Sequence, residues 1–481
     1  MIVRVTLVTL LMIVNMIIGG PVESDVTVIK GATVVDGTGR LPIVNGVIVI
    51  QGNTVKAVGA AGKIKIPSGA TTVDATGKYV VPGLIDMHVH YREWHGELFL
   101  ANGVTTVKDL GNPVEWISEL SRMQLEGKLR GPRIFYVGNN LDAPPPEGDH
   151  HVGVASPAEI DRAVNLLFKF NVNAIKVRHK ITPELLQAIL RAAHAKNIPV
   201  TGHLAATNAK EAALAGIDGL EHATGVARAA SDEQGQPPSN AKGLSAFFED
   251  LRGFSQMNRA KESALIKLLV AKKVKLIPTL AVRSRAVADR DAQERARVAD
   301  DGYARNQELE YVPQMVRRNW SEAPLDRKLQ ETFKTDELTI MREGYHRLEG
   351  FVLELHRAGG VVLAGSDTLN DVPGLTLHRE LESLVAAGLS PMEALLAATR
   401  DAALFLGRAN LGTIQPDRTA DLVILGADPL TNIRNLDKVE RVFQNGREVS
   451  VSFERGYKLP PPRPNLVRPL FFERLLAAEK E

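Results

Sequence analysis

Apolar and polar positions alternate with period two near both ends of the chain and follow a different rhythm between them. From Asp25 to Tyr79 the segments DVTVIKGATVVDGTG, GVIVIQGNTVKAVG and TTVDATGKYV change face at every residue and are broken by glycine, the pattern of short antiparallel strands and turns. Late in the chain LGTIQPDRTADLVILGADPL and VERVFQNGREV have the same texture, with Asn445-Gly446 as a hairpin turn. Residues 25–80 and 411–455 are therefore expected to form one small β-sandwich lobe from both chain ends. Between them, over 81–410, short apolar strands alternate with amphipathic helices, the signature of βα units and a parallel sheet. Eight strand candidates stand out: Gly83 to His88, Thr105 to Leu110, Arg133 to Gly138, Ala174 to Val177, Ile198 to His203, Gly219 to His222, Val274 to Leu280 and Val361 to Asp367. Ser156-Pro157-Ala158-Glu159 and Ser390-Pro391-Met392-Glu393 each join an N-cap serine, a proline at the first helical position and a glutamate three residues after the cap. The expected fold is α/β, a (β/α)8 TIM barrel carrying the lobe.

Two stretches exceed a minimal barrel, Ala223 to Lys273 and Ala281 to Gly359, and are expected to be helical insertions on the active-site face. The tail 456–481 reads as a proline-rich extended segment and a short amphipathic helix, packed on the barrel or on another subunit; homo-oligomerisation stays open. The first twenty residues place Arg4 before an apolar run from Val5 to Ile18 that ends in Gly19-Gly20. That is the pattern of a secretory signal peptide over 1–20, hence export to the periplasm or the exterior, with an uncleaved membrane anchor as the alternative. The run is shorter than the roughly 20 residues that span a bilayer, so no stable membrane span is expected in the mature form.

Composition narrows the chemistry. Hydrophobic residues at 44% and charged residues at 24% are ordinary for a folded soluble protein. A formal net charge of +2 without runs of like charge gives no footing for nucleic acid. Cysteine is absent, which excludes disulfides, thiolate nucleophiles and zinc-thiolate sites, so a transition metal would have to be held by histidine, carboxylate or modified lysine.

His88 and His90 close the first barrel strand two residues apart, and a period of two sends both imidazoles to one face. His203 and His222 each end a later strand, where barrel enzymes place catalytic groups, and Asp367 ends the eighth. Taken singly, each histidine also reads as a packed barrel residue and Asp367 as a turn or helix cap. Lys176 lies within the fourth strand, where an inward ammonium is costly unless it is paired, modified or neutral; an exposed lysine is the alternative.

PGLIDMHVH, GVTTVKDLG, AIKV, the strand-end His203 and His222, PTL, AGSDT and ADLVILGADPL, in that order over most of the chain, resemble the amidohydrolase superfamily. Within it the chain is most similar to the imidazolonepropionase-like and Xaa-Pro or Xaa-Arg dipeptidase-like branch. The resemblance implies two divalent metal ions, with zinc as the default. His88 and His90 would bind the more buried ion and His203 and His222 the more exposed one. Lys176, carboxylated by carbon dioxide, would bridge the pair, and Asp367 would contact the buried ion and act as general acid and base. The implied reaction is hydrolysis of an amide or peptide bond in a small substrate, a dipeptide or N-acyl compound. Cyclic amides, lactones, carbamates and phosphoesters suit the same chemistry. Deaminase-like members carry a glutamate shortly after the fifth-strand histidine, whereas His203 is followed here by LAATN. A catalytically silent binding barrel is the alternative from outside enzymes.

Two arginines are candidates for binding a substrate carboxylate, whose geometry the planar guanidinium matches. Arg92 follows His90 at the next same-face position, as in dihydroorotase-like relatives, and Arg178 stands two residues beyond Lys176. His150 and His151, in the long third βα loop, read as exposed loop histidines, and His179 as a strand-end or helix-cap residue.

Overall fold

The computed structural model describes residues 26–148, 150–232, 244–287, 290–322 and 331–464. The expected signal segment 1–20, most of the polar stretch SDEQGQPPSN and the end of the tail lie outside the described residues. No described helix is long and apolar enough to cross a membrane.

Five strands open the chain: β1 (Val26–Val34), β2 (Ile43–Gln51), β3 (Thr54–Ala60), β4 (Thr71–Asp74) and β5 (Tyr79–Pro82). The parallel strands that follow are β6 (Leu84–Val89), β7 (Val104–Asp109), β8 (Arg133–Tyr136), β9 (Asn140–Asp142), β10 (His151–Gly153), β11 (Ile175–Val177), β12 (Val200–Gly202), β13 (Gly219–Glu221), β14 (Lys275–Ile277) and β15 (Val361–Val362). Then β16 (Leu422–Leu425), β17 (Val439–Gln444) and β18 (Arg447–Val449) return to the first ladder, where β16 lies antiparallel to β5. The chain ends thus share one eight-stranded sheet in the order β18-β17-β16-β5-β1-β2-β3, with β4 on β1. Period-two alternation divides the side chains of its inner strands between two cores. Val80, Leu422 and Ile424 join the lobe's apolar cluster, whereas Val81, Val423 and Leu425 pack into the large cluster shared with the barrel helices. Asn445 and Gly446 connect β17 to β18 with φ of 51° and 76°, the left-handed pair that a two-residue hairpin favours.

The eight expected barrel strands are present as β6, β7, β8 and β11 to β15, each short and separated from the next by helices. Their ladders fall into two pieces, β6-β7-β8 and β10-β9-β11-β12-β13-β14-β15. Backbone bonds join the pieces where β15 meets β6: Met87 N to Ala364 O (3.0 Å), Asp367 N to His88 O (2.7 Å) and His90 N to Thr368 O (2.8 Å). Ser366 reinforces this seam by donating its hydroxyl to buried Asp86 at 2.5 Å. The predicted caps form: Ser156 accepts from Glu159 N ahead of helix Pro157–Lys169, and Ser390 and Glu393 make a capping box on helix Pro391–Ala397. Both long insertions are helical where described, including Leu244–Ser255, Arg259–Ala271 and Thr335–Arg357. The tail packs on the barrel, with Pro461 O accepting from Trp116 Nε1 at 2.8 Å.

Candidate metal centre

The six expected ligands lie in, at or just past the C-terminal ends of the parallel strands. His88 is within β6 and His90 just beyond it; Lys176 is central in β11; His203 and His222 directly follow β12 and β13; Asp367 follows β15. A register shift in the β6-β7 pairing between Asp86 and Val89 bends the strand where His88 sits, a device common beside active sites. His222 and Asp367 have φ of 59° and 52°, left-handed conformations that residues with a Cβ adopt at a cost.

Asp367 is the hub. Its Oδ1 stands 3.3 Å from His88 Nε2 and 3.4 Å from His90 Nε2, and its Oδ2 is 3.9 Å from His222 Nδ1. One ligand atom each from His88, His222 and Asp367 falls within 4.8 Å of the others, the spacing of a cation's donor set. The rings of His88 and His222 are 4.5 Å apart and those of His222 and His203 4.4 Å, which continues the cluster to His203, beside Arg178. Two buried atoms here make no hydrogen bond, His88 Nε2 and Lys176 Nζ. An orphaned imidazole nitrogen facing a carboxylate is what a metal ligand looks like before its ion, so these residues fit one.

Burial dominates the electrostatics. It pushes His203 and His222 well below the usual imidazole range, keeping them neutral with lone pairs to offer. Burial likewise brings the Lys176 amine down to about 7, against the opposing pull of Glu221 and with help from Arg178. For Asp367 burial works the other way, but His222 and His88 outweigh it and hold the carboxylate ionised.

Sequence reasoning missed three neighbours. Glu221 is fully buried, accepts from His88 Nδ1 at 2.7 Å and from Thr201 Oγ1 at 2.6 Å, and so fixes the His88 tautomer with Nε2 turned to the cluster. Thr279 places Oγ1 2.7 Å from His222 Nδ1. His179 stands edge-on to His203, with ring centres 4.2 Å apart. The signals were Glu221 beside His222 in GLEH and Thr279 in PTL, but spacing alone gave neither a direction.

The two arginines part company. Arg178 brings Nη1 to 3.4 Å from His203 Nδ1, at the edge of the cluster. Arg92 instead donates to Tyr91 O and to Asn112 Oδ1, both at 3.1 Å. His150 is half-buried, not exposed, with Arg463 Nη2 3.4 Å from its Nδ1, and His151 is buried.

The model of the Amidohydrolase family matches residues 79–449, most of the chain. The chain belongs to the Amidohydrolase family, and with it to the hydrolytic enzymes. Among curated relatives, a dihydroorotase of Trichlorobacter lovleyi is 48% identical over 65 residues, which is 14% of this chain and 15% of that protein. The likeness to such relatives is therefore local: the chain spans well under half of their length. Among solved structures, a candidate prolidase from Bifidobacterium longum has a TM-score of 0.64 at 24% identity, over 95% of this chain and 100% of that one. An Xaa-Pro dipeptidase with methionine bound in its active site has a TM-score of 0.62 at 19% identity, over 88% of this chain and 99% of that one. At these identities the two structures support the amidohydrolase fold. The family generally binds divalent metals, and the His88, His222 and Asp367 group is a fitting place for one.

Proposed function

We propose that this amidohydrolase cleaves the amide or peptide bond of a small substrate, a dipeptide or N-acyl compound. Its site would hold two divalent ions, zinc by default, at His88 with His90 and at His203 with His222. Lys176 would bridge them as a carbamate. The observation that carries this reading is Lys176: a fully buried amine without a hydrogen bond, in the strand beside the one that ends at His203, brought down to about 7 by burial. A neutral amine can add to carbon dioxide, losing a proton and becoming an anionic ligand. Two ions there would polarise the scissile carbonyl and lower the pKa of a shared water toward neutrality. Asp367, kept ionised and within 3.4 Å of both His88 and His90, takes the proton of the attacking water and returns it to the leaving amine. Arg178, with Nη1 3.4 Å from His203 Nδ1, would bind a substrate carboxylate. Arg92, turned to Asn112, has the weaker claim.

Hydrolysis of a dipeptide and N-acyl amino acid library tests the reading. The wild type should cleave a subset and Asp367→Asn should lose at least about a hundredfold in rate, the usual scale of a general acid and base. Turnover only of lactones, phosphoesters or cyclic amides would move the assignment to those bonds. We also propose export, on the strength of the first twenty residues. N-terminal sequencing of protein made from the full chain should find a start near Gly20, and an intact Met1 would contradict a cleaved signal.

A further inference from the structure

The segment that leaves β14 runs Pro278-Thr279-Leu280 into helix Leu280–Val287 and is held from two sides. Arg283, fully buried in that helix, donates to Pro278 O at 3.2 Å and to Asp250 Oδ2 at 3.2 Å, a carboxylate of the inserted helix Leu244–Ser255. On the other side Glu380, fully buried in helix Leu375–Ala386, accepts from Ala281 N at 2.7 Å. Thr279 between these grips has φ of 48°, a conformation that a β-branched residue avoids unless its surroundings impose it. The backbone at His222 is tied to the same strand, His222 N donating to Ile277 O at 2.7 Å. The result is a fully buried hydroxyl 2.7 Å from His222 Nδ1.

We propose that Thr279 is a positioning residue for the more exposed metal: its hydroxyl accepts the Nδ1 proton of His222 and so keeps the ring's lone pair on Nε2 for the ion. The inference rests on the metal-dependent reading above and adds a residue to it. The hydroxyl fixes the tautomer, while Arg283 and Glu380 keep it within reach by enforcing the left-handed turn. A threonine serving only as packing would owe its place to its methyl group and shape. Valine keeps that shape without the acceptor, and serine keeps the acceptor without the methyl.

The test is competitive zinc titration of the purified protein, with the absorption spectrum of the cobalt-loaded form as a second readout. Thr279→Val should weaken the looser of two bound ions by about 10- to 100-fold, the usual effect of removing a hydrogen-bond partner from a metal-binding histidine, and should shift the cobalt bands. Thr279→Ser should stay within about threefold of wild type with the wild-type spectrum. If the valine variant does not fold, Thr279→Ala takes its place with the same expectation. A valine variant that binds both ions as wild type does, or a serine variant that falls as far as valine, would overturn the proposal while leaving the metal reading intact. A wild type that binds no second ion would overturn both.

Discussion

At the scale of single residues, the centre depends on buried groups whose charge is set by their surroundings. Lys176 is the sharpest case, because only the neutral amine can be carboxylated, and with its pKa brought to about 7 the neutral form grows as pH rises through that value. Metal-stripped protein given zinc at a fixed concentration of dissolved carbon dioxide should therefore take up more metal at pH 8 than at pH 6. Exclusion of carbon dioxide should abolish the difference, and uptake indifferent to carbon dioxide would count against the carbamate. Glu221 makes a separate prediction. Glu221→Gln would keep the volume but weaken the charge-assisted bond to His88 Nδ1, and metal affinity should fall by about 10- to 100-fold with little change in fold. Metal analysis after dialysis against a weak chelator, with circular dichroism alongside, checks both halves. Glu221 was hidden in the sequence for a definable reason. Along β13, Leu220 joins the apolar cluster shared with the helices while Glu221 faces His88, so strict alternation would put His222 on Leu220's side. The left-handed backbone at His222 turns it back to the cluster, and both neighbours end up serving the site. Alternation could therefore credit one of the pair but never both.

At the scale of elements, what was legible followed from periodicity and caps. The eight parallel strands expected between the helices, the two serine-capped helices and the Asn445-Gly446 hairpin all obey local rules that a single sequence displays. What was not legible is how loops are held once a strand ends, since such grips join residues far apart in the chain. Arg283 with Asp250, and Glu380 with Ala281, are examples. Glu380 gives this a pH signature. Burial pushes its pKa from 4.5 up to about 8, so the folded protein binds this proton more tightly than the unfolded chain does. The stabilising contribution is complete below about 4.5 and is lost as pH rises through about 8, at a slope of no more than about 1.4 kcal/mol per pH unit from this group. Glu380→Gln keeps an acceptor oxygen for Ala281 N and has no proton to lose. Denaturant midpoints of metal-free protein between pH 5 and 8 should fall less steeply for the variant than for wild type. Parallel slopes would contradict the assignment.

At the scale of the whole molecule, the sheet built from both chain ends is fastened to the barrel by a partly buried ion pair. Arg133 in β8 donates to Asp421 at 2.8 Å, to Thr106 Oγ1 at 2.9 Å and to Asn445 Oδ1 at 2.6 Å. Arg133→Met would remove the cation from Asp421, which keeps its bond from Asn445 N at 2.7 Å, and should cost about 1–3 kcal/mol of stability, read as a lower denaturant midpoint, without changing metal content. On the barrel side the six expected ligands come from five separated stretches of chain, and the sequence announced that gathering only through the ordered set of motifs. The most direct test of the binuclear centre is anomalous scattering at the zinc edge from crystals of the zinc-loaded protein. The account predicts two peaks about 3.5–4 Å apart, one against His88 and His90 and the other against His203 and His222, with density for a carbamate on Lys176 between them. A single peak, or two peaks with an unmodified Lys176, would contradict it.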